Sequence, residues 1–149
     1  MSYKKNILKI SIGLVFGFLL YLAIHLYVNQ QVINTYASGF GKNPLDDYVK
    51  SESNLILSVY DAPLFQTYTN LAIHNSKEKV DLIIWVPLYS KSLSYGLVVT
   101  DDKNEISYQI DVNEHLETED DDYKELLKTK QTAINEIKSI AKKEWGLEF

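Results

Sequence analysis

Residues 6–28 read NILKISIGLVFGFLLYLAIHLYV, and the rest of the chain is organised around this stretch. The fifteen residues from Ile10 to Ile24 carry no charge, and His25 is the first titratable group after them. An α-helix rises about 1.5 Å per residue and the hydrocarbon core of a bilayer is about 30 Å thick, so about 20 residues span it. The segment 7–28 therefore predicts a transmembrane helix.

The lysines around this segment predict its orientation. Lys4, Lys5 and Lys9 precede the apolar core, whereas Lys42 is the one lysine in the first fifteen residues after it. By the positive-inside rule, residues 1–6 form a cytoplasmic tail and the remaining chain lies outside the membrane. We therefore expect a single-pass protein of the cell membrane with an extracytoplasmic C-terminal domain.

A cleaved secretory signal is the alternative interpretation of the same segment. Such a signal has an apolar run of about 7–15 residues, and a small-residue cleavage site follows it directly. Here the run is longer, and the best candidate site, Thr35-Tyr36-Ala37, lies nine residues beyond Val28. We therefore expect 7–28 to be an uncleaved signal anchor.

Gly13 and Gly17 form a G-x-x-x-G pattern inside the apolar segment. This spacing places both glycines on one helix face, where a second helix backbone can approach closely. A helix-pairing face is one interpretation. The other is an ordinary pair of membrane glycines, because glycine is commoner in membrane helices than in soluble ones.

The 121 residues after the segment are enough for one domain with one core. The chain has no cysteine, which excludes disulfides, a thiolate nucleophile and a cysteine-ligated zinc site. All fifteen basic residues are lysines, so no guanidinium group is present to bind phosphate or carboxylate in a bidentate manner. An outward-facing domain without disulfides favours a bacterial surface protein.

The domain is acidic. After Lys9 there are twelve lysines and twenty acids, a net charge of −8. Nucleic acids and anionic lipid surfaces repel such a domain, whereas a basic protein attracts it. We therefore expect a protein partner and no nucleic acid.

Residues 29–43 are predicted to be a juxtamembrane linker, in which Gly39 and Gly41 end any continuation of the membrane helix. The domain is predicted to occupy 44–149. Its first elements are a short helix from Pro44 to about Ser51, a strand over 54–60 and a helix from Ala62 to about His74.

The second half of the domain shows clearer patterns. Residues 80–87 alternate as a central strand, and 95–100 with 105–112 alternate as a hairpin. A long helix follows, capped by Thr118 or Asp120 and stopped by Gly146, with Lys130 as a polar gap in its apolar stripe. The sequence thus predicts an α+β domain, with a small, mostly antiparallel sheet packed on helices.

The titratable residues indicate no catalytic site, metal or cofactor. His115 lies in an acidic run that resembles a calcium loop, but Leu116 stands where that loop requires glycine and Asp122 where it requires glutamate. Spacing alone brings no acid-base pair together. A hydrolase would require at least two of a small set of side chains to meet in one pocket. That set is His74, His115, Asp61, Asp81 and Asp111.

The eleven tyrosines are a more suggestive feature, because aromatic side chains with a polar tip are favoured at binding surfaces. They are also common in half-buried sheets, so a packing role is the alternative. The candidate binding residues are Trp85, Tyr89, Tyr95, Tyr60 and Tyr108.

Three functions are compatible with these patterns. The favoured one is a membrane-anchored protein-binding module, an accessory or protective subunit of a bacterial envelope system. Immunity proteins against toxins share this layout, by analogy of architecture alone. The alternatives are a tethered hydrolase of a cell-envelope substrate and a small structural subunit, a homo- or hetero-oligomer assembled through its transmembrane helix.

Overall fold

The chain folds into an N-terminal helix, an antiparallel sheet and two C-terminal helices. The computed structural model describes residues 2–45 and 47–149, with side chains from Lys9 onward. Helix α1 runs unbroken over Ser2–Tyr36, and its part Lys9–Tyr36 is long and apolar enough to cross a membrane, by length and composition. The side chains of Lys4 and Lys5, on which the predicted orientation depends, lie outside the described residues, as does Asp46.

Among the described residues, seven strands form one sheet in which each strand pairs with the next along the chain. Every pairing is antiparallel, so the sheet is a meander. The strands are β1 Gly41–Lys42, β2 Tyr48–Glu52, β3 Leu55–Val59, β4 Tyr68–Asn75, β5 Val80–Pro87, β6 Ser94–Asp101 and β7 Ile106–Val112. With helices α2 (Asp121–Thr129) and α3 (Gln131–Trp145) after the sheet, the α+β class is confirmed.

Alternation along the strands gives the sheet one buried face and one open face. On the buried face a row of cross-strand neighbours runs through Leu57, Ile73, Leu82, Leu97 and Ile110. Each of them is at most 2% exposed. This row is the centre of the hydrophobic core.

The core is covered by the C-terminal helices and by the end of α1. Helix α3 contributes Ile134, Ile137 and Trp145, and the end of α1 contributes Ile33, followed by Ala37 directly after the helix, all of them buried. The indole nitrogen of Trp145 donates a hydrogen bond to the carbonyl oxygen of Tyr36 at 3.1 Å. The apolar helix and the domain therefore share one core.

The predicted C-terminal helix is present but divided at Lys130. Asp120 caps its first half, since its carboxylate accepts a hydrogen bond from the backbone nitrogen of Asp122 at 3.0 Å. At the division Lys130 is 7% exposed, and its ammonium group donates to Asp102 and, at 3.0 Å, to the carbonyl oxygen of Glu78. The polar gap in the apolar stripe thus marks a bend with a buried cation.

The predicted helix from Pro44 to Ser51 is wrong, because this segment is a turn followed by β2. The Asn43 side chain accepts hydrogen bonds from the backbone nitrogens of Leu45 and Asp47, at 2.9 and 3.0 Å. Asparagine followed by proline initiates such turns as readily as it caps helices.

The predicted helix from Ala62 to His74 is also wrong. Residues 60–67 form the β3–β4 loop, and β4 follows, with Thr69, Leu71 and Ile73 facing the core. Pairing with β3 on one side and β5 on the other stabilises the strand. This outweighs the helical pattern of the apolar residues, which extends over only a few turns.

The predicted linker 29–43 begins as helix and ends as strand. Helix α1 continues to Tyr36, and Gly39 then turns the chain with φ +79°, as the glycine pattern predicts. Residues Gly41–Lys42 form β1. Asn29 and Ile33 within this segment are buried against the domain.

Candidate functional site

The open face of the sheet is the most extensive candidate surface, because no described helix covers it. Apolar and aromatic side chains lie across its centre, on strands β3 to β6 and on Tyr60 directly after β3. Ile56, Tyr60 and Tyr68 are 40–41% exposed, and the others are partly buried by their neighbours. We call this set the open-face patch: Ile56, Tyr60, Tyr68, Ala72, Ile83, Trp85 and Val98.

The Trp85 ring lies over the neighbouring strand, at a position occupied by a glycine. A Cβ atom added at Gly96 would be 2.7 Å from Cη2 and 3.0 Å from Cζ3 of the Trp85 ring. Gly96 pairs with Ile83 on one side and with Asp111 on the other. The absence of a side chain at Gly96 thus leaves room for the indole on the open face.

The charges on the open face are mainly negative. His74 and Asp81 pair across β4 and β5, with 2.5 Å between Nδ1 and Oδ1, and Asp111 stands on β7. Lys42 and Lys50, the lysines of the described strands, lie on the helix-facing side by their register with Tyr48 and Leu57. The open face therefore combines apolar area with carboxylates.

A concavity of about 940 Å³ lies beside the patch, where β5, β6 and β7 meet their loops. Its walls include Trp85, Tyr95, Asp111, Glu114 and His115. The imidazole of His115 is 3.9 Å from the Glu114 carboxylate. Within the described residues no three His, Cys, Asp or Glu side chains are placed to hold a metal ion.

A polar junction ties α1 to the loops at this end of the sheet. His25 is fully buried, and its Nδ1 lies 3.0 Å from the hydroxyl oxygen of Tyr89 in the β5–β6 loop. One turn further along α1, the Asn29 amide donates to the Asp61 carboxylate in the β3–β4 loop. The Asn29 oxygen accepts from the backbone nitrogen of Ala62 at 3.4 Å.

The five predicted binding residues do not form one surface. Trp85 and Tyr60 belong to the open-face patch, and Tyr89 binds α1. Tyr95 packs edge-on against Phe149 under the helices, where burial, Glu114 and Tyr36 raise its pKa. The fifth residue is on the helix side too: Tyr108 packs against Tyr123 of α2.

The other predicted residues are also dispersed. A Cβ added at Gly13 or Gly17 would have no atom within 4 Å, so this face of α1 is open to a second helix. Of the five side chains of which a hydrolase would need at least two in one pocket, Asp111 and His115 share the concavity. His74 and Asp81 pair on the open face, and Asp61 is bonded to Asn29.

The polar junction was not predicted, although the sequence contains a signal for it. His25, Asn29, Ile33 and Ala37 recur every four residues, which places them on one face of a helix. Two polar residues in line with two apolar ones at the end of a membrane segment indicate a face that packs on protein. All four are buried.

Comparisons with protein-family models, with curated protein sequences and with solved structures found no match. The fold therefore defines the class of the protein, an α+β meander with an N-terminal apolar helix, and its function is argued from its surfaces.

Proposed function

We propose that this protein is a single-pass, membrane-anchored module that binds another protein outside the cytoplasmic membrane. The open-face patch carries the proposal, because its apolar and aromatic side chains extend over four neighbouring strands of the sheet. Exposed patches of this kind in soluble domains mark interaction sites. A bacterial envelope protein of accessory or protective type, similar in layout to an immunity protein, accounts for an anchor combined with such a patch.

The packing of α1 supports a permanent anchor rather than a cleaved signal. Cleavage after Ala37 would remove Ile33 from the core and the Tyr36 carbonyl from Trp145. It would also remove Asn29, leaving Asp61 without this hydrogen bond. A segment that completes the core of the mature domain is unsuited to removal.

The chemistry of the open face favours a basic partner with an apolar centre. Asp81 and Asp111 stand beside the patch, and the domain carries a net charge of −8 after Lys9, from twelve lysines and twenty acids. Complementary charge accelerates association and suppresses wrong partners, whereas the apolar centre supplies most of the affinity.

A matched pair of isoleucines tests this proposal. Ile56 belongs to the patch and Ile106 lies on the edge strand β7 on the other face, and they are 40% and 50% exposed. The full chain is used to isolate a partner from membranes of the producing cells, and the purified partner is then titrated against Ile56→Lys and Ile106→Lys. We expect Ile56→Lys to weaken binding at least tenfold and Ile106→Lys to leave it unchanged.

If both variants bind as tightly as the native protein and keep its circular dichroism spectrum, the open face is not the binding surface. Equal weakening would indicate a general charge effect instead. Both results contradict the proposal in its stated form.

A tethered hydrolase is the second candidate, and the concavity favours it, because Asp111 and His115 line the same space. A carboxylate and an imidazole in one pocket are the groups that general acid-base catalysis requires. Isolated cell wall incubated with the protein should then release soluble fragments, and the double variant Asp111→Asn, His115→Ala should release none. Equal release by the two proteins would exclude this site.

A further inference from the structure

The tip of the β3–β4 loop lies against the apolar helix. The ring of Phe65 stacks on the rings of Phe18 and Tyr21, with centroid distances of 6.3 and 6.1 Å. Phe18 and Tyr21 belong to the part of α1 that has the composition of a membrane span. A residue of the folded domain therefore touches the apolar segment itself.

The loop extends along α1 toward its N-terminus. At the start of the loop, Asp61 and Ala62 are held at the level of Asn29. Tyr21 precedes Asn29 by eight residues, which corresponds to about 12 Å along the helix axis. The chain thus descends about two helical turns between its attachment at Asn29 and the stack of Phe65 on Tyr21.

The tip keeps its apolar side chains exposed. Leu64 is 51% exposed and Phe65 66% exposed, despite the stacking. Phe65 has φ +73°, a left-handed conformation that is rare for an aromatic residue, and the backbone nitrogen of Gln66 bonds to the carbonyl oxygen of Pro63 at 3.1 Å. Strain of this kind persists where the surrounding structure demands it, and it often accompanies function.

The neighbouring loops also expose large apolar or aromatic side chains. In a meander, the β1–β2, β3–β4 and β5–β6 connections lie at one end of the sheet. Leu45 in the first is 81% exposed, and Tyr89 in the third is 49% exposed. Residues 62–67, APLFQT, carry no charge, so the tip of the β3–β4 loop beyond Asp61 takes no formal charge into an apolar medium.

We infer that Leu64 and Phe65 insert into the hydrocarbon region of the outer leaflet beside α1. This rests on the proposed membrane anchoring. The occupant of the surface is lipid, because the exposed tip stacks on Phe18 of the apolar segment, which is itself 49% exposed at the same depth. Leu19 and Leu20, which neighbour Phe18 along the helix, are 56% and 53% exposed. The domain is thereby seated in the bilayer at two points, the helix and the tip.

Spin labelling of the full chain in phosphatidylcholine vesicles tests the inference. The chain has no cysteine, so each single substitution provides a unique attachment point. Leu64→Cys probes the tip, Leu14→Cys probes the span, and Ser76→Cys probes the β4–β5 turn at the opposite end of the sheet. Paramagnetic accessibility is then measured with oxygen, which concentrates in lipid, and with a nickel chelate, which stays in water.

We expect the labels at 64 and 14 to be accessible mainly to oxygen and the label at 76 mainly to the chelate. Chelate accessibility at 64 with oxygen accessibility at 14 would overturn the insertion and leave the anchoring intact. Chelate accessibility at 14 would overturn the anchoring, and the insertion with it. Leu64 lies outside the core, so its substitution leaves the core side chains in place.

Discussion

His25 Nδ1 lies 3.0 Å from the hydroxyl oxygen of Tyr89, although the two residues are 64 positions apart in the chain. The imidazole is fully buried, and its Nε2 has no partner within the part of the chain that the structure describes. Together with the Asn29–Asp61 bond one turn away, this contact fixes two loops of the sheet to the apolar helix.

Removing the Tyr89 hydroxyl should therefore destabilise the protein. We expect Tyr89→Phe to lower the free energy of unfolding by about 1–3 kcal/mol, because a buried imidazole then lacks its bond. Adding His25→Leu should restore much of this loss, since both polar groups are then absent. Denaturant titration of the full chain in detergent micelles measures both. An unchanged midpoint for Tyr89→Phe would show that the contact contributes nothing.

Ile33 tests whether the end of α1 belongs to the core. Ile33 is 5% exposed, and its truncation to alanine should cost about 2–5 kcal/mol of unfolding free energy. Gln31 on the exposed side of the same helix is the control, and its replacement by alanine should change stability by less than about 0.5 kcal/mol. Similar small effects of both substitutions, in the same denaturant titration, would mean that the helix end is not packed on the domain.

Gly96→Ala should displace the indole of Trp85, because the added methyl group would meet the ring at 2.7 Å. Overpacking of this kind costs about 1–3 kcal/mol. The near-ultraviolet circular dichroism of the tryptophans should change as the ring moves. Trp85→Leu introduced beside Gly96→Ala should relieve the strain and recover stability. If Gly96→Ala is as stable as the native protein, the ring must have room that the structure does not show.

Acid should weaken the attachment of β2 to α3. The Lys50 ammonium bonds to the Glu144 carboxylate and, against the opposing effect of burial, holds the pKa of Glu144 below its usual value. The folded state therefore binds this proton less readily than the unfolded state. The stabilisation is present above the ordinary glutamate pKa of about 4.3 and is lost as the pH falls through the lower pKa of the folded state.

Glu144→Gln measures this contribution. Near neutral pH the variant should be less stable than the native protein by about 1–2 kcal/mol, a range for a partly exposed ionic hydrogen bond. The difference should shrink as the pH is lowered through the acidic range. A difference that stays constant from neutral pH to pH 3 would assign the effect to packing and not to ionisation.

Gly13 and Gly17 predict helix pairing if the protein assembles through its span. Leucine at both positions would fit the isolated helix, since no atom lies within 4 Å of a Cβ there, but it would prevent close approach of a second helix. We expect cross-linked oligomers in membranes to disappear in the double variant while the domain stays folded. Ile12→Leu is the control within the same helix. Retained oligomers would leave the pair as ordinary membrane glycines.

The sequence predicted those elements in which local pattern and long-range packing agree. The hairpin of β6 and β7, the alternation of β5 and the helix capped by Asp120 are all present. The helix predicted over Ala62–His74 failed because Leu71, Ala72 and Ile73 fit a helical and an alternating pattern equally well over so short a run. Pairing with strands on both sides decides such a case, and a single segment contains no information about its neighbours.

The candidate surface was predicted only in part, for a related reason. Trp85 and Tyr60 are on the open face, whereas Tyr95 and Tyr108 face the helices, because they pair with the buried residues Ile84 and Val99. Which side of a sheet is covered depends on where distant helices lie. The sequence pattern alone, with both sides of β5 apolar, does not show which side remains open.

The unbroken helix α1 also couples the orientation of the domain to the orientation of the apolar segment. A chain with a flexible linker would let the domain tumble independently of its anchor, but here the turns that carry His25, Asn29 and Ile33 are clamped to the sheet. A twist applied to the apolar segment by a neighbouring helix would swing the open face through the same angle. Under the proposed anchoring, a neighbouring helix in the bilayer would thereby determine the direction in which the open face points.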